Sequence, residues 1–189
     1  MLLQDLKLGT KQCSEPRRFL LGSFASAWEQ RKLGKLEDDG SIKLGRGEVI
    51  NRADLTDNPG NYPVFSSSAS GDGEFGRYGK YMFDIPQITW SIDGGGRFFL
   101  RNDLRYSVTN VGGWLRVEAP HQVYLAYLFY ELSQLWARKS FDYTMKAHPS
   151  VIRDEYTLML PEISEQMAIG KLFINLDKLI TLHQRAPCY

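Results

Sequence analysis

The most regular stretch of the chain covers residues 162–185 and reads EISEQMAIGKLFINLDKLITLHQR. Its packing residues recur at spacings of four, three, four and three, which is the a/d pattern of a coiled coil. A helix over this stretch is roughly 35 Å long at about 1.5 Å per residue, more than a cap on a small domain needs. We therefore predict a helix that pairs with a partner helix, the alternative being a helix that lies along its own domain. The predicted interface residues are Ile169, Phe173, Leu176, Ile180 and His183.

Two further segments precede this helix. Pro120 opens a run of apolar residues at three and four residue spacing, which predicts a helix that caps a sheet. Residues 151–160 are predicted to form a strand, because Tyr156, Leu158 and Leu160 alternate with Thr157 and Met159. Pro161 ends the strand and starts the final helix.

Residues 42–118 consist of short apolar or alternating runs separated by turn residues, which predicts many short strands. The clearest strands cover residues 88–92, 97–100 and 113–117, which are rich in β-branched and aromatic side chains. The chain is therefore predicted to be α+β, with one β-rich domain and packed helices followed by the long helix. We place a lead-in segment at residues 1–27, the domain at 28–160 and the spacer or dimerisation helix at 161–189.

Composition restricts the classes of function. The chain has 189 residues, of which 43% are hydrophobic. It contains 23 Lys and Arg residues and 22 Asp and Glu residues, which gives a formal charge of +1. A nucleic-acid site would therefore have to be local, because the whole surface does not attract polyanions. No apolar run approaches the roughly 18 residues of a membrane span, so we expect no membrane partner and a cytoplasmic location.

The sequence contains no recognisable catalytic or metal-binding motif. Phosphate-binding loops, nucleophile elbows and zinc-spaced cysteine pairs are absent, and the three histidines lie far apart. Asp38 and Asp39 stand before Gly40 and are interpreted as a solvated turn rather than as paired catalytic carboxylates. Cys13 and Cys188 lie at opposite ends and are taken as reduced and incidental. We expect no catalytic residue, no metal and no cofactor.

A glycine turn with a basic flank is the first candidate nucleic-acid site. Gly94, Gly95 and Gly96 lie between two predicted strands, where consecutive backbone amides can converge on a phosphate. Arginine and asparagine are the side chains that read guanine and adenine edges through two hydrogen bonds. Those that follow the glycines are Arg97, Arg101, Asn102 and Arg105.

Two further polar clusters have the same character. The second contains Ser66, Ser67, Ser68, Arg77 and Lys80. The third contains Lys43, Arg46 and Arg52. Each cluster alone is typical of a solvated face, whereas three in one turn-rich domain favour a local surface for double-stranded DNA.

An ordered set of motifs resembles a known family. The resemblance runs from about Trp28 to Arg185 and is strongest at the start of the domain and at the entry to the final helix. The pieces are WEQRKLG at 28–34, YPVFSSS at 62–68, ITW at 88–90 with GGG at 94–96, YSVT at 106–109, and LPE at 160–162 with EQ at 165–166 and Ile169. In this order they resemble the specificity (S) subunit of type I restriction-modification enzymes.

The resemblance implies a function without catalysis. Members of that family carry two target recognition domains, each followed by a long helix, and each domain reads one half of a bipartite DNA sequence. Modification subunits that methylate adenine bind the S subunit, and a restriction subunit joins for cleavage. This sequence contains one such domain and one helix, so we expect a half-length S subunit that forms a homodimer and recognises a palindromic site.

Two other functions stay open from the sequence. An interaction protein or remnant would occupy modification subunits without reading DNA. A stand-alone nuclease or hydrolase would need a carboxylate cluster or a Cys/His pair, which the sequence lacks. The bases that are read do not follow from side-chain identity alone, because docking geometry decides which base a side chain contacts.

Overall fold

The computed structural model describes residues 28–67, 71–93, 96–102, 105–138 and 146–185. The predicted lead-in, residues 1–27, and residues 186–189 lie outside the described residues. The mixture of helices and strands confirms the α+β class. The elements are β1 (Glu29–Lys32), α1 (Leu33–Asp38), β2 (Ile42–Arg46), α2 (Arg52–Asp57), β3 (Tyr62–Phe65), β4 (Glu74–Tyr78), β5 (Gln87–Ser91), β6 (Phe98–Arg101), β7 (Ser107–Val108), β8 (Gly112–Val117), α3 (Leu125–Arg138), α4 (Pro149–Glu155), β9 (Thr157–Leu160) and α5 (Ile163–Arg185).

A four-stranded antiparallel sheet in the order β2, β8, β5, β6 forms the centre of the fold. It contains the three strands that the sequence predicts most clearly. Strand β5 is buried along its whole length because both faces of the sheet are covered. Ile88 and Trp90 join the main hydrophobic core on one face. Thr89 and Ser91 point to the opposite face, because successive side chains of a strand alternate.

Helices α1, α3 and α4 cover the first face of this sheet. Their buried side chains, including Leu36, Leu128 and Ile152, belong to the same core as the strand residues Ile88 and Trp90. A two-stranded antiparallel sheet of β1 and β9 closes the domain, with Glu29 opposite Leu160. The start of the domain therefore lies beside the point at which the chain leaves it for α5. Within the described ranges, no helix is both long and apolar enough to cross a membrane.

A three-stranded sheet in the order β4, β3, β7 covers the second face. Its own small core consists of Phe65, Tyr106 and Val108, with Phe83 packed against them. The Phe83 ring also lies 5.3 Å from the Trp114 ring of the central sheet. The fold thus has three layers of helices, central sheet and smaller sheet, and the predicted DNA-binding residues are divided between the two sheets and their loops.

Two predicted elements differ from the structure. The helix begins at Leu125 rather than at Pro120, because residues 119–123 form a turn in which the Val123 amide donates to the Ala119 carbonyl. Residues 151–155, predicted as strand, belong to α4, and only Thr157–Leu160 is strand. Proline at the first helical position and a histidine cap favour a helix start, and here Pro149 follows the cap residue His148.

Gln166 fixes the entry of α5 into the domain. Its side chain is 2% exposed. The amide oxygen accepts a hydrogen bond from the Tyr124 backbone N–H at 3.0 Å. The amide nitrogen donates to the carbonyls of Gln122 at 3.1 Å and Pro161 at 2.9 Å. One side chain therefore joins the start of α3, the end of β9 and the first turn of α5.

Replacing Gln166 with leucine is expected to lower the free energy of unfolding by about 1–3 kcal/mol. The volume is nearly kept, but the buried polar groups that Gln166 satisfies lose their partners. Chemical denaturation measures the change, and Gln134→Leu, at an exposed position of α3, is the matched control. Equal stability of the two variants would show that Gln166 does not hold the helix entry.

The first half of α5 packs along α3. A Cβ atom at Gly170 would lie 2.8 Å from the Tyr124 ring, so only glycine permits this close approach. Further along, the Phe173 ring lies 4.5 Å from the Tyr130 ring. The Tyr130 hydroxyl donates to the carboxylate of Asp177. Burial and this contact raise the pKa of Tyr130, so the hydroxyl keeps its proton.

The structure divides the predicted interface residues of α5 into two groups. Ile169 packs partly buried against the core of its own domain, and Phe173 contacts Tyr130. Leu176, Ile180 and His183 are exposed. The first half of the helix thus lies along its own domain, and the second half presents apolar side chains to solvent. Pairing of this second half with a partner helix stays a prediction.

Candidate nucleic-acid interface

Hydrogen bonds of the Ser67 side chain join the loop that holds the predicted serine cluster to the loop that holds the predicted glycine turn. The Ser67 hydroxyl is hydrogen-bonded to the Ser91 hydroxyl and accepts from the Asp93 amide at 3.1 Å. Gly96 adopts a φ of 79°, which suits glycine, and its amide donates to the Ser91 carbonyl at 3.0 Å. The loop after β3 and the loop after β5 therefore form one surface, here called the turn surface. Ser68, Gly94 and Gly95 lie outside the described residues.

The described serines of this surface have structural partners. Besides the contacts of Ser67, the Ser66 hydroxyl accepts a hydrogen bond from the Thr109 hydroxyl at 2.9 Å. The Ser66 amide donates to the Gly73 carbonyl at 2.9 Å. Ser66 and Ser67 are half-buried, so they shape the loops that carry the surface.

Arg97 and Asn102 are exposed residues of the basic flank and lie just before and just after β6. The guanidinium carbon of Arg97 lies 5.0 Å from the centre of the Phe99 ring, within the range of a cation–π contact. Both residues line a groove of about 730 Å³ between β6, α3 and α5, together with Tyr130 and Leu182. Arg97 is therefore placed where it can contact a ligand on the turn surface.

Arg101 has a structural position that the sequence analysis did not predict. Its side chain is 6% exposed and lies between the two sheets. The guanidinium donates to the Thr89 hydroxyl at 2.9 Å and to the Asp72 carbonyl. Its carbon lies 3.5 Å from the centre of the Phe65 ring. The predicted role of Arg101 in contacting DNA is corrected accordingly, because burial and these contacts keep its donors inside the domain.

The residues of the third predicted cluster lie on two elements, β2 and α2. Lys43 and Arg46 lie on β2, which is the edge of the central sheet opposite β6. Three strand spacings separate the two edges, or about 14 Å. The Arg46 guanidinium donates to the Asn110 carbonyl at 2.7 Å. Arg52 lies on α2 above the Phe75 ring, beside the smaller sheet.

The remaining predicted basic residues meet at the other end of the smaller sheet. Arg77 forms an ion pair with Glu74, with 2.7 Å between nitrogen and oxygen, and donates to the Asn61 carbonyl at 3.0 Å. Arg105 donates to the hydroxyl of Tyr62, the residue after Asn61, at 3.2 Å. Lys80 is exposed and follows β4. Residues that are distant in sequence are thus brought together by the pairing of β3 with β4 and β7.

Two tyrosines in this group were not predicted as site residues. Tyr62 and Tyr81 form an edge-to-face pair with 5.1 Å between ring centres. Arg105 lies over both rings, 5.9 Å from Tyr62 and 4.9 Å from Tyr81. The signal available in the sequence was weak, since it consisted of tyrosines beside turn residues such as Gly60 and Gly79.

The carboxylates that were weighed for catalysis are engaged in ion pairs. Asp38 pairs with Arg153, and Asp39 pairs with Arg31. The hydrogen bond from the Ser41 hydroxyl, with a further contribution from Arg31, holds the pKa of Asp39 below its usual value. In the part of the chain that the structure describes, no group of three or more His, Cys, Asp or Glu side chains is arranged to hold a metal ion.

Comparison with known families connects this geometry to a class of protein. Residues 26–187 match the family described as the type I restriction modification DNA specificity domain. The chain belongs to this family. The family that the ordered motifs resemble is thereby confirmed, and the match covers both the domain and all of α5.

Relatives of the specificity domain agree with this assignment. A protein of Mycoplasma pneumoniae, named as the N-terminal part of a type I specificity subunit, is 37% identical over 116 residues, covering 60% of this chain and 59% of that protein. The crystal structure of a type I restriction-modification S subunit from M. genitalium superposes with a TM-score of 0.65 at 20% identity, covering 80% of this chain and 39% of that one. An HsdS subunit from Thermoanaerobacter tengcongensis gives 0.61 at 15% identity, with 88% and 41% covered. The chain therefore spans about half the length of these relatives.

In this specificity domain, the motif at the helix entry has a structural explanation. The segment LPE at 160–162 ends β9 and turns the chain into α5. Gln166, four residues after Glu162, makes the buried hydrogen bonds that lock the turn to α3. The first turn of α5 lies between Pro161 and Gln166, which explains the spacing of these two residues.

Proposed function

We propose that the chain is a non-catalytic DNA-recognition subunit of a type I restriction-modification system. It reads one half of a bipartite site in double-stranded DNA and directs partner adenine methyltransferase subunits to that site. A restriction subunit joins the assembly for cleavage. The observation that carries this proposal is the family match over residues 26–187, which includes the β-rich domain and the long helix together.

The distribution of charge supports DNA as the ligand. The formal charge of the whole chain is +1, so affinity for nucleic acid must come from local groups. Arg97 and Asn102 are exposed at the turn surface, and Arg105 and Lys80 are exposed at the opposite end of β3. Exposed arginine and asparagine side chains can read base edges, while lysine contacts phosphates.

The second half of α5 supports a homodimer. Its exposed apolar side chains form a stripe, and contiguous exposed apolar surface is unusual in soluble proteins unless a partner covers it. Pairing of two α5 helices about a two-fold axis places one recognition domain at each end. Such a dimer reads a palindromic DNA sequence, with the helix pair setting the distance between half-sites.

Methylation assays with and without partner subunits test the proposed function. The purified chain alone, with DNA, methyl donor and magnesium, is expected to neither methylate nor cut. Combined with the modification subunits of its host, it is expected to direct methylation to one sequence, detected by methylome sequencing of cells with and without the gene. Turnover by the stringently purified chain would favour a stand-alone enzyme. Binding of modification subunits without any sequence preference would favour a non-reading interaction protein.

A further inference from the structure

Arg105 is held over a pair of tyrosine rings on the surface of the smaller sheet. Its guanidinium carbon lies 4.9 Å from the ring centre of Tyr81 and 5.9 Å from that of Tyr62. The two rings contact each other edge to face at 5.1 Å, with an interplanar angle of 70°. The Tyr62 hydroxyl accepts a hydrogen bond from Arg105 at 3.2 Å. These contacts orient the guanidinium before any ligand arrives.

The fold builds this group, here called the tyrosine–arginine cluster, from three separate segments. β3 and β7 pair in parallel with Val64 beside Ser107. Tyr62 lies two residues before Val64 and Arg105 two residues before Ser107, so the pairing brings Arg105 beside Tyr62. Tyr81 reaches Tyr62 because two glycines let their loops touch. A Cβ atom at Gly60 would lie 2.4 Å from the Gly79 Cα atom.

The side-chain contacts of Arg105 differ from those of the other arginines near it. Arg77 is paired with Glu74, and Arg101 is buried between the sheets. Arg105 is exposed, and among the described residues it forms no ion pair within 4.0 Å. The hydrogen bond to Tyr62, with the two nearby tyrosines, raises the pKa of Arg105, so its charge is permanent. Its guanidinium has five N–H donors, and the bond to Tyr62 uses only one of them.

A planar guanidinium that is held in place matches one DNA base better than the others. Arginine donates two parallel hydrogen bonds to O6 and N7 of guanine in the major groove, the commonest specific contact of this kind. Stacking on aromatic rings reduces the rotamer freedom that arginine loses when it binds. A phosphate can also be contacted by arginine, but such a contact carries no sequence information.

We propose that Arg105 is a specificity-determining residue that reads a guanine in the recognised half-site, and that Tyr62 and Tyr81 are the residues that position it. This inference rests on the proposed function, because it requires that the domain reads double-stranded DNA. It adds to that function a named base contact and a positioning pair that are not part of the turn surface.

Selection from duplexes with a randomised half-site tests the assignment in the full complex of this chain with its modification subunits. Wild-type complex is expected to select guanine at one position. With Arg105→Ala, the preference for guanine at that position falls by about 5- to 150-fold, while preferences at the other positions are kept. Arg105→Lys shows a partial loss at the same position, because lysine lacks the two-donor fork.

Two further variants separate base reading from structural damage. Tyr62→Phe removes the hydroxyl that holds Arg105 and is expected to give a smaller loss of preference at the same position, with unchanged thermal unfolding. Arg116→Ala is the matched control, since Arg116 is paired with Glu118 on the central sheet, and it is expected to leave every preference unchanged.

The possible contrary results are distinct. A uniform loss of binding across all sequences with Arg105→Ala would assign Arg105 to a phosphate and overturn the proposal. Unchanged preferences with both Arg105 variants would remove the cluster from the DNA interface and also overturn it. A wild-type complex that selects no sequence at all would overturn the proposed function itself, and this assignment with it.

Discussion

Replacing Leu176 with lysine is expected to convert the chain from a dimer to a monomer whose recognition domain remains folded. Leu176 is 42% exposed and belongs to a different face of α5 from the residues that meet α3. In a two-fold pairing of α5 helices, each copy brings its own residue 176 to the seam. The substitution therefore puts a charge into the apolar seam of both helices at once, where like charges oppose pairing.

The spacing of contacts along α5 indicates which face forms that seam. The residues of α5 that meet α3 or the residue just before it are spaced by four, three and four along one face of the helix. They are Gln166, Gly170, Phe173 and Asp177. A second stripe with the same spacing is exposed. It consists of Leu172, Leu176, Leu179 and His183, with Ile180 on its flank. Leu176 belongs both to this stripe and to the interface predicted from sequence.

Sedimentation of both proteins at tens of micromolar measures this effect. Asn175→Lys adds the same charge at an exposed neighbouring position outside the stripe and is expected to remain dimeric. Circular dichroism and thermal unfolding check that the domain is intact. A wild-type chain that sediments as a monomer would contradict self-pairing and assign the stripe to another partner, such as a modification subunit.

Local sequence patterns predicted the central sheet better than the helices around it. Strands β5, β6 and β8 are rich in β-branched and aromatic residues and were predicted nearly at their observed positions. Residues 151–155 were included in a strand predicted from the alternation at 156–160, yet they fold as α4. There, the cap at His148 and the proline after it decide the conformation of a segment too short for periodicity to be informative.

Local sequence patterns also do not predict which side chains of the candidate site are exposed. Phe99 and Arg101 share one face of β6, and Arg97, the residue just before the strand, lies over the same Phe99 ring. Sequence alone treats the two arginines as equivalent. The smaller sheet covers only one end of the strand, so Phe65 buries Arg101 while Arg97 stays exposed. Contacts between the loops at Gly60 and Gly79 are likewise invisible to local patterns, because they depend on strand pairing across the domain.

Arg101→Ala is expected to lower the free energy of unfolding by about 3 kcal/mol. The substitution leaves the buried Thr89 hydroxyl and Asp72 carbonyl without their donor, at a cost of about 1–3 kcal/mol. It also removes a desolvated guanidinium from the Phe65 ring, a contact that contributes about 2 kcal/mol. Chemical denaturation measures the loss. DNA binding is expected to weaken only as far as the lost hydrogen bond to the Asp72 carbonyl changes the conformation of the loop around Asp72.

Arg97→Ala is the matched comparison because Arg97 immediately precedes the same strand and contacts the same ring, Phe99. Stability is expected to change by less than about 0.5 kcal/mol, since the side chain is exposed. Specific DNA binding by the assembled complex is expected to weaken by about 1–3 kcal/mol if Arg97 reads a base, with a smaller, sequence-independent loss if it contacts a phosphate. Unchanged binding with Arg97→Ala would exclude this end of β6 from the interface. A stability loss as large as that of Arg101→Ala would show that the two arginines have the same structural role.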